Sequence, residues 1–160
     1  SQTDTLVMSD RLLLKPVTTP RASFWVKFDS TLQLTDAHML STTGSGWNYQ
    51  VKDLASDKLG NAYLYGVFHQ DLIIGLDTVK ARQADPPRDA DTYLLKLDRL
   101  GNLRWAQVGV TMNKLTLNAS DQLVIVGNPK GAALVGSQTI QGGYYLSCLD
   151  SLGEPLWIFR

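Results

Sequence analysis

YLLKLDRLGNLRWAQ at residues 93–107 is written again as YLSCLDSLGEPLWIF at 145–159, and in weaker form as FWVKFDSTLQLTDAH at 24–38. In the first two copies the opening residues, 93–97 and 145–149, are apolar or alternate, as a strand with one or both faces buried would be. Each run then meets Asp, two residues and Gly: Asp98 with Gly101, and Asp150 with Gly153. An Asp carboxylate can accept hydrogen bonds from backbone amides across such a reversal, and Gly adopts the positive φ that other residues reach only under strain. A second short strand follows, with Trp105 and Trp157 in matching places. The phrase is therefore a β-hairpin, and a chain that repeats it has its architecture set by repetition.

A second phrase precedes the first. GNAYLYGVF at 60–68 aligns with DQLVIVGNP at 121–129 and, more loosely, with DRLLLKPVT at 10–18, each after a short apolar stretch. Each unit is then two hairpins, or four antiparallel strands, with turn residues in the gaps. Asp29, Asp98 and Asp150 are spaced by 69 and 52 residues, so a unit takes about 50 residues when its loops are short. The units are approximately 5–40, 51–109 and 114–160. Two stretches, 41–50 (STTGSGWNYQ) and 80–91 (KARQADPPRDAD), read as exposed loop insertions by their Ser, Gly, Pro and charge content.

Composition narrows the function classes. The chain has 160 residues, and a content of 44% hydrophobic with 19% charged is ordinary for a globular domain. Fifteen basic side chains balance fifteen acidic ones, and the basic residues are scattered. A nucleic-acid binder needs them clustered to replace counterions along the phosphates, so no nucleic-acid partner is expected. No apolar run approaches the roughly 18 residues of a spanning helix, and no signal-peptide pattern opens the sequence at Ser1. Membrane insertion is not expected. Cys148 is the only cysteine, which excludes an intrachain disulfide, and it reads as a small buried hydrophobe.

The hairpin with LD, two residues and GNLRW, preceded by GNAYLYG, resembles the repeat of bacterial β-propellers, most closely the extracellular seven-bladed-propeller-like repeats. It is also similar to pyrroloquinoline-quinone-type propeller repeats. The first unit departs from the pattern: Thr31-Leu32-Gln33 lacks the Gly and no Trp stands at the matching place. The resemblance implies an all-β fold of three four-stranded antiparallel blades within a larger or oligomerically closed propeller. It further implies that Trp105 and Trp157 pack between blades. Propellers close with four to eight blades. Three units therefore point to a fragment of a longer chain, to self-association of two arcs, or to a different antiparallel assembly such as a sandwich, and the fragment is preferred.

Catalytic patterns are weak. Only His38 and His69 are available to a nucleophilic triad, no G-x-S-x-G elbow occurs, and neither a dinucleotide fingerprint nor metal-ligand His spacing is present. No enzyme activity and no cofactor are expected. Asp85, Asp89 and Asp91 crowd one loop as weak calcium candidates, but Arg82 and Arg88 sit among them, and a solvated loop is the preferred reading. Asp98, Gly101, Trp105, Asp150, Gly153 and Trp157 are assigned to structure, as turn and packing residues. Recognition is assigned to Trp47, Asn48 and Tyr49, an aromatic pair with an amide in a glycine-flanked insertion, joined by His69 and Asp71 at a hairpin end. Against this stands the reading that Trp47 and Tyr49 open the second unit and tuck beneath it.

The leading expectation is a non-catalytic propeller module of a secreted or cell-surface bacterial protein, extracellular, surface-bound or periplasmic. It would serve binding, adhesion or scaffolding toward a protein or carbohydrate partner, with further blades in the same chain or self-association. The alternative is a propeller segment of an enzyme, quinone-dependent or polysaccharide-active, whose site lies largely outside this chain.

Overall fold

A computed structural model of the chain describes residues 6–9, 12–14, 23–43, 49–82 and 90–160. Sixteen strands and no helix appear among them, arranged as three four-stranded antiparallel sheets and two hairpins. The second sheet runs β5 (Tyr49–Ser56), β6 (Ala62–Phe68), β9 (Asp91–Leu97), β10 (Leu103–Val108). The third runs β11 (Lys114–Leu117), β12 (Leu123–Gly127), β15 (Tyr145–Leu149), β16 (Pro155–Phe159). The first has a different make-up: β3 (Ser23–Phe28), β4 (Leu34–Thr42), then β7 (Leu72–Ile74) and β8 (Asp77–Val79). The earliest hairpin, β1 (Leu6–Ser9) with β2 (Leu12–Leu14), is a separate two-stranded sheet, as is β13 (Ala132–Val135) with β14 (Gln138–Gln141). No barrel or closed ring of sheets is formed by the described residues.

The expectation of all-β structure in four-stranded antiparallel sheets holds; the composition of the units is corrected in one respect. Between the second and third strands of both later units lies an extra hairpin, β7–β8 and β13–β14. Each reaches back to the outer strand of the preceding sheet. Strand β4 is nine residues long, and its last three, Leu40, Ser41 and Thr42, pair with Ile74, Ile73 and Leu72. In the corresponding place Leu134 N donates to Gly109 O at 3.4 Å and Gly136 N to Gln107 Oε1 at 3.0 Å. Both hairpins turn on two residues, opened by Gly75 and Gly136 at φ near +59° and +58°, the geometry of a tight primed turn that matches strand twist. The segment 41–50 is thus no single exposed loop: Ser41 and Thr42 are buried in β4, and Tyr49 and Gln50 begin β5.

The three sheets stack face to face, with the second in the middle. Its strands β6 and β9 are buried on both faces, which explains why their sequences read as near-continuous apolar runs. Alternation sorts them cleanly. Ala62, Leu64, Phe68, Tyr93, Leu95 and Leu97 join Leu40, Leu72 and Ile74 of the first sheet in one core. Tyr63, Tyr65 and Leu94 join Leu115, Leu123, Ile125, Tyr145 and Leu149 of the third in another.

Five hairpin turns share one construction. At 98–102 the Asp98 N–H donates to Asn102 O, and Asp98 O accepts from Gly101 N, both at 2.9 Å. Asp98 Oδ1 accepts from Leu100 N and Asn102 N at 2.8 and 3.0 Å. The same bonds are made around Asp29, Asp57, Asn118 and Asp150. The fourth residue takes a left-handed conformation in each: Gly60, Gly101 and Gly153, but Leu32 and Asp121 in the other two. This is a type I turn closed by a bulge residue in the left-handed region, and the Asp or Asn at its head satisfies amides that the reversal would strand.

Candidate functional site

Neighbouring sheets meet through these turns. Counting from the turn Asp, the residue two before it and those seven and nine after it recur on one face: Lys27, Asp36 and His38; Lys96, Trp105 and Gln107; Cys148, Trp157 and Phe159. A bulge at Thr35, Arg104 and Leu156 sets Asp36 opposite Lys27, Trp105 opposite Lys96 and Trp157 opposite Cys148, re-aiming the outer strand in the way bulges do. Between the second and third sheets, Trp105 Nε1 and Lys96 Nζ both donate to Ser151 O, at 2.9 and 3.2 Å, and Gln107 Nε2 donates to Gly153 O at 2.6 Å. Between the first and second, Lys27 Nζ donates to Arg99 O at 2.7 Å and Gly60 O at 2.8 Å.

His38 takes the place of Gln107 and packs on the turn rather than bonding to it. A methyl placed on Gly101 would stand 2.0 Å from the His38 ring. The ring also stacks on Trp25, centroids 4.5 Å apart, and Nε2 lies 2.7 Å from Asp36 Oδ2. Lys27 Nζ sits 5.0 Å from the centre of the same indole, a cation–π arrangement. The Asp36–His38 pair resembles part of a triad in bonding only; its ring, 20% exposed, is packed between Trp25 and the Gly101 backbone.

A concavity lies at the other end of the same junction. It encloses about 590 Å³ between the first and second sheets. Trp25, Phe24 and Leu40 line it from β3 and β4, Tyr49 and Val51 from β5, and Val67 and His69 from the end of β6. Gln50 and His69 are exposed at its rim. Tyr49 is half-buried; its hydroxyl donates to Leu40 O at 2.7 Å and accepts from Ser23 N, tying the second sheet to the first. Burial pushes this phenol above its ordinary pKa, so it stays a neutral donor. The Trp25 indole N–H is buried and meets no hydrogen-bond partner among the described residues, an arrangement that costs roughly 1–3 kcal/mol for an N–H without an acceptor.

The residues singled out from the sequence separate here. Tyr49 and His69 line this cleft. Trp47, Asn48, Asp85 and Asp89 lie outside the described residues. Asp71 is a tether: its carboxylate accepts from Lys80 Nζ at 2.7 Å and Ala81 N at 3.1 Å, and its carbonyl from Thr43 N. Asp91 accepts from Arg82 Nε and Nη2 at 2.9 and 2.6 Å and from Arg82 N at 2.7 Å, which occupies the oxygens a cation would need. Among the described residues no cluster of three His, Cys, Asp or Glu side chains could hold a metal ion. Gln50 closes the 41–50 stretch to which recognition was assigned, whereas Trp25 and Phe24, which build much of the cleft, were not anticipated. Trp25 stands where the other copies have Leu94 and Leu146, and that local exchange was the available signal. No family model matches the chain, and the search of curated proteins returns no match.

Proposed function

We propose that the chain is a β-propeller-type segment of a non-catalytic binding module, belonging to a secreted or cell-surface protein, with its recognition site in the cleft between the first two sheets. The propeller reading is supported by successive four-stranded antiparallel sheets in sequential strand order, β5-β6-β9-β10 and β11-β12-β15-β16, packed face to face. The binding reading rests on one observation: a cleft of about 590 Å³ whose walls carry Trp25, Phe24 and Tyr49 and whose rim carries Gln50 and His69. Small-molecule sites have this make-up, an apolar enclosure with a few polar groups at fixed places. Flat rings beside an amide and an imidazole suit a sugar ring, which offers an apolar face and hydroxyl edges.

Titration of the intact chain with a panel of neutral oligosaccharides, followed by tryptophan fluorescence and calorimetry, tests the reading. Gln50→Ala and His69→Ala are exposed changes that leave the fold intact, and each is expected to weaken binding about tenfold, the equivalent of one lost hydrogen bond. Saturable binding that neither change affects moves the site elsewhere, and an absence of binding across the panel rejects the carbohydrate assignment.

A further inference from the structure

The third sheet presents a face that is covered in the second sheet and bare in its own case. The equivalent positions can be paired one to one. Tyr65 and Leu94 are 4% and 0% exposed against the third sheet; their counterparts Val126 and Leu146 are 37% and 40% exposed. Trp105 is half-buried with its indole N–H on Ser151 O; its counterpart Trp157 is 39% exposed. Gln107 donates to Gly153 O, while Phe159 in its place is 66% exposed. The outer strands β4 and β10 each meet a reaching hairpin from the following unit; among the described residues β16 meets none.

We propose that this face is the docking surface for a further repeat unit of the same kind, whose outer turn reads Asp-x-x-Gly, with Trp157 Nε1 donating to the carbonyl after its Asp. The occupant follows from continuity: the register that joins the first sheet to the second and the second to the third is already built on the third. Glycine is demanded at the fourth turn position because of what lies against it. A methyl on Gly101 would stand 2.0 Å from the His38 ring, and one on Gly153 would stand 2.7 Å from Gln107 Nε2 and 3.2 Å from the Trp105 ring. The first sheet carries Leu32 there, at φ +62° and 82% exposed. The first sheet of a second copy therefore lacks the glycine that this register calls for, and brings a leucine where the two existing junctions admit no side chain. The surface is thus polar in the sense of direction: the third sheet accepts a successor, and the first refuses a predecessor. One departure is built in. Cys148 replaces the lysine of the earlier junctions, so the new junction lacks the ammonium-to-carbonyl bond that Lys27 and Lys96 make.

The experiment extends the full chain by one unit, appending a copy of residues 109–160 after Arg160, and follows amide hydrogen exchange of the 155–160 segment by mass spectrometry. Exchange there is expected to slow at least tenfold, with a rise in melting temperature. The same extension carrying Gly153→Leu in the appended copy is expected to leave exchange unchanged. Unchanged exchange with the glycine-bearing copy, or equal protection with the leucine-bearing one, overturns the proposal. Sedimentation of the unextended chain supplies the other arm: self-association that Trp157→Ala abolishes would show that a second copy occupies the face, and would overturn it as well.

Discussion

At the junction between the second and third sheets, Trp105, Lys96 and Gln107 each set an N–H on a carbonyl of the 150–154 turn. At the junction between the first and second, the same places are held by Asp36, Lys27 and His38, and of these Lys27 alone bonds to the facing turn. One junction is closed by three direct hydrogen bonds. The other relies on ring packing, leaves Trp25 Nε1 without a partner among the described residues and opens into the cleft. A repeat fixes where neighbouring units touch, and the contact residues can then drift in chemistry until one junction closes and another is left free for recognition.

The largest expected effect breaks the packed junction. Gly101→Leu combines a left-handed backbone at φ +80° with a collision against the His38 ring, and should cost about 3–4 kcal/mol in urea unfolding. Gly153→Leu meets the flexible end of Gln107 first and should cost less, about 2 kcal/mol, because that amide can move aside. Trp105→Ala should cost about 3 kcal/mol through lost burial and the lost indole bond, whereas Trp157→Ala, in the matching but exposed place, should stay within about 0.5 kcal/mol. Reversal of that order would mean that the third sheet is covered in solution by the chain itself.

Smaller changes sharpen the comparison. Lys96→Met keeps the aliphatic stem and removes one charge-assisted bond, for a loss of about 1 kcal/mol. Leu32→Gly relieves a left-handed leucine and should raise stability by about 1 kcal/mol, the opposite sign from any change at Gly101. Acid should act on the turns. Thr31 hydroxyl and backbone bonds hold Asp29 below the ordinary aspartate value, and the Lys80 bond holds Asp71 below it. In Asp98 burial pulls upward and is outweighed by bonds from Asn102 and Leu100 and by the Arg104 charge. A folded-state value below the unfolded one means stability that is present at neutral pH and lost as the pH falls through about 4 and lower. The urea midpoint should therefore drop between about pH 5 and 3, and Asp98→Asn should flatten that drop.

The hairpin turns were legible because everything they need is local: an Asp, a residue of positive φ three places on, and amides within four residues. The pairing of β5 with β6 and of β9 with β10 followed from that. The hairpins β7–β8 and β13–β14 were not read, although LIIGLDTV at 72–79 and ALVGSQTI at 133–140 stand 61 residues apart, the same interval as Gly66 and Gly127. Their strands are three or four residues long, and what orders them is pairing with a strand some 30 residues earlier, which no local period encodes. Tyr49 and His69 were singled out from a loop and a turn; the wall that faces them, Phe24 and Trp25, belongs to another sheet and comes together with them only through stacking.

The reaching hairpins also set an order of events during synthesis. The first sheet lacks its last two strands until β7 and β8 have been made, after β5 and β6 of the second. A ribosome that has released residues 23–56 has therefore delivered half of one sheet and the opening strand of the next, and neither can close on its own. Assembly at this junction must overlap, the first sheet being sealed by strands made after the second has begun, so a break between β4 and β5 would sever a sheet, whereas the second and third sheets each hold their four strands within their own unit.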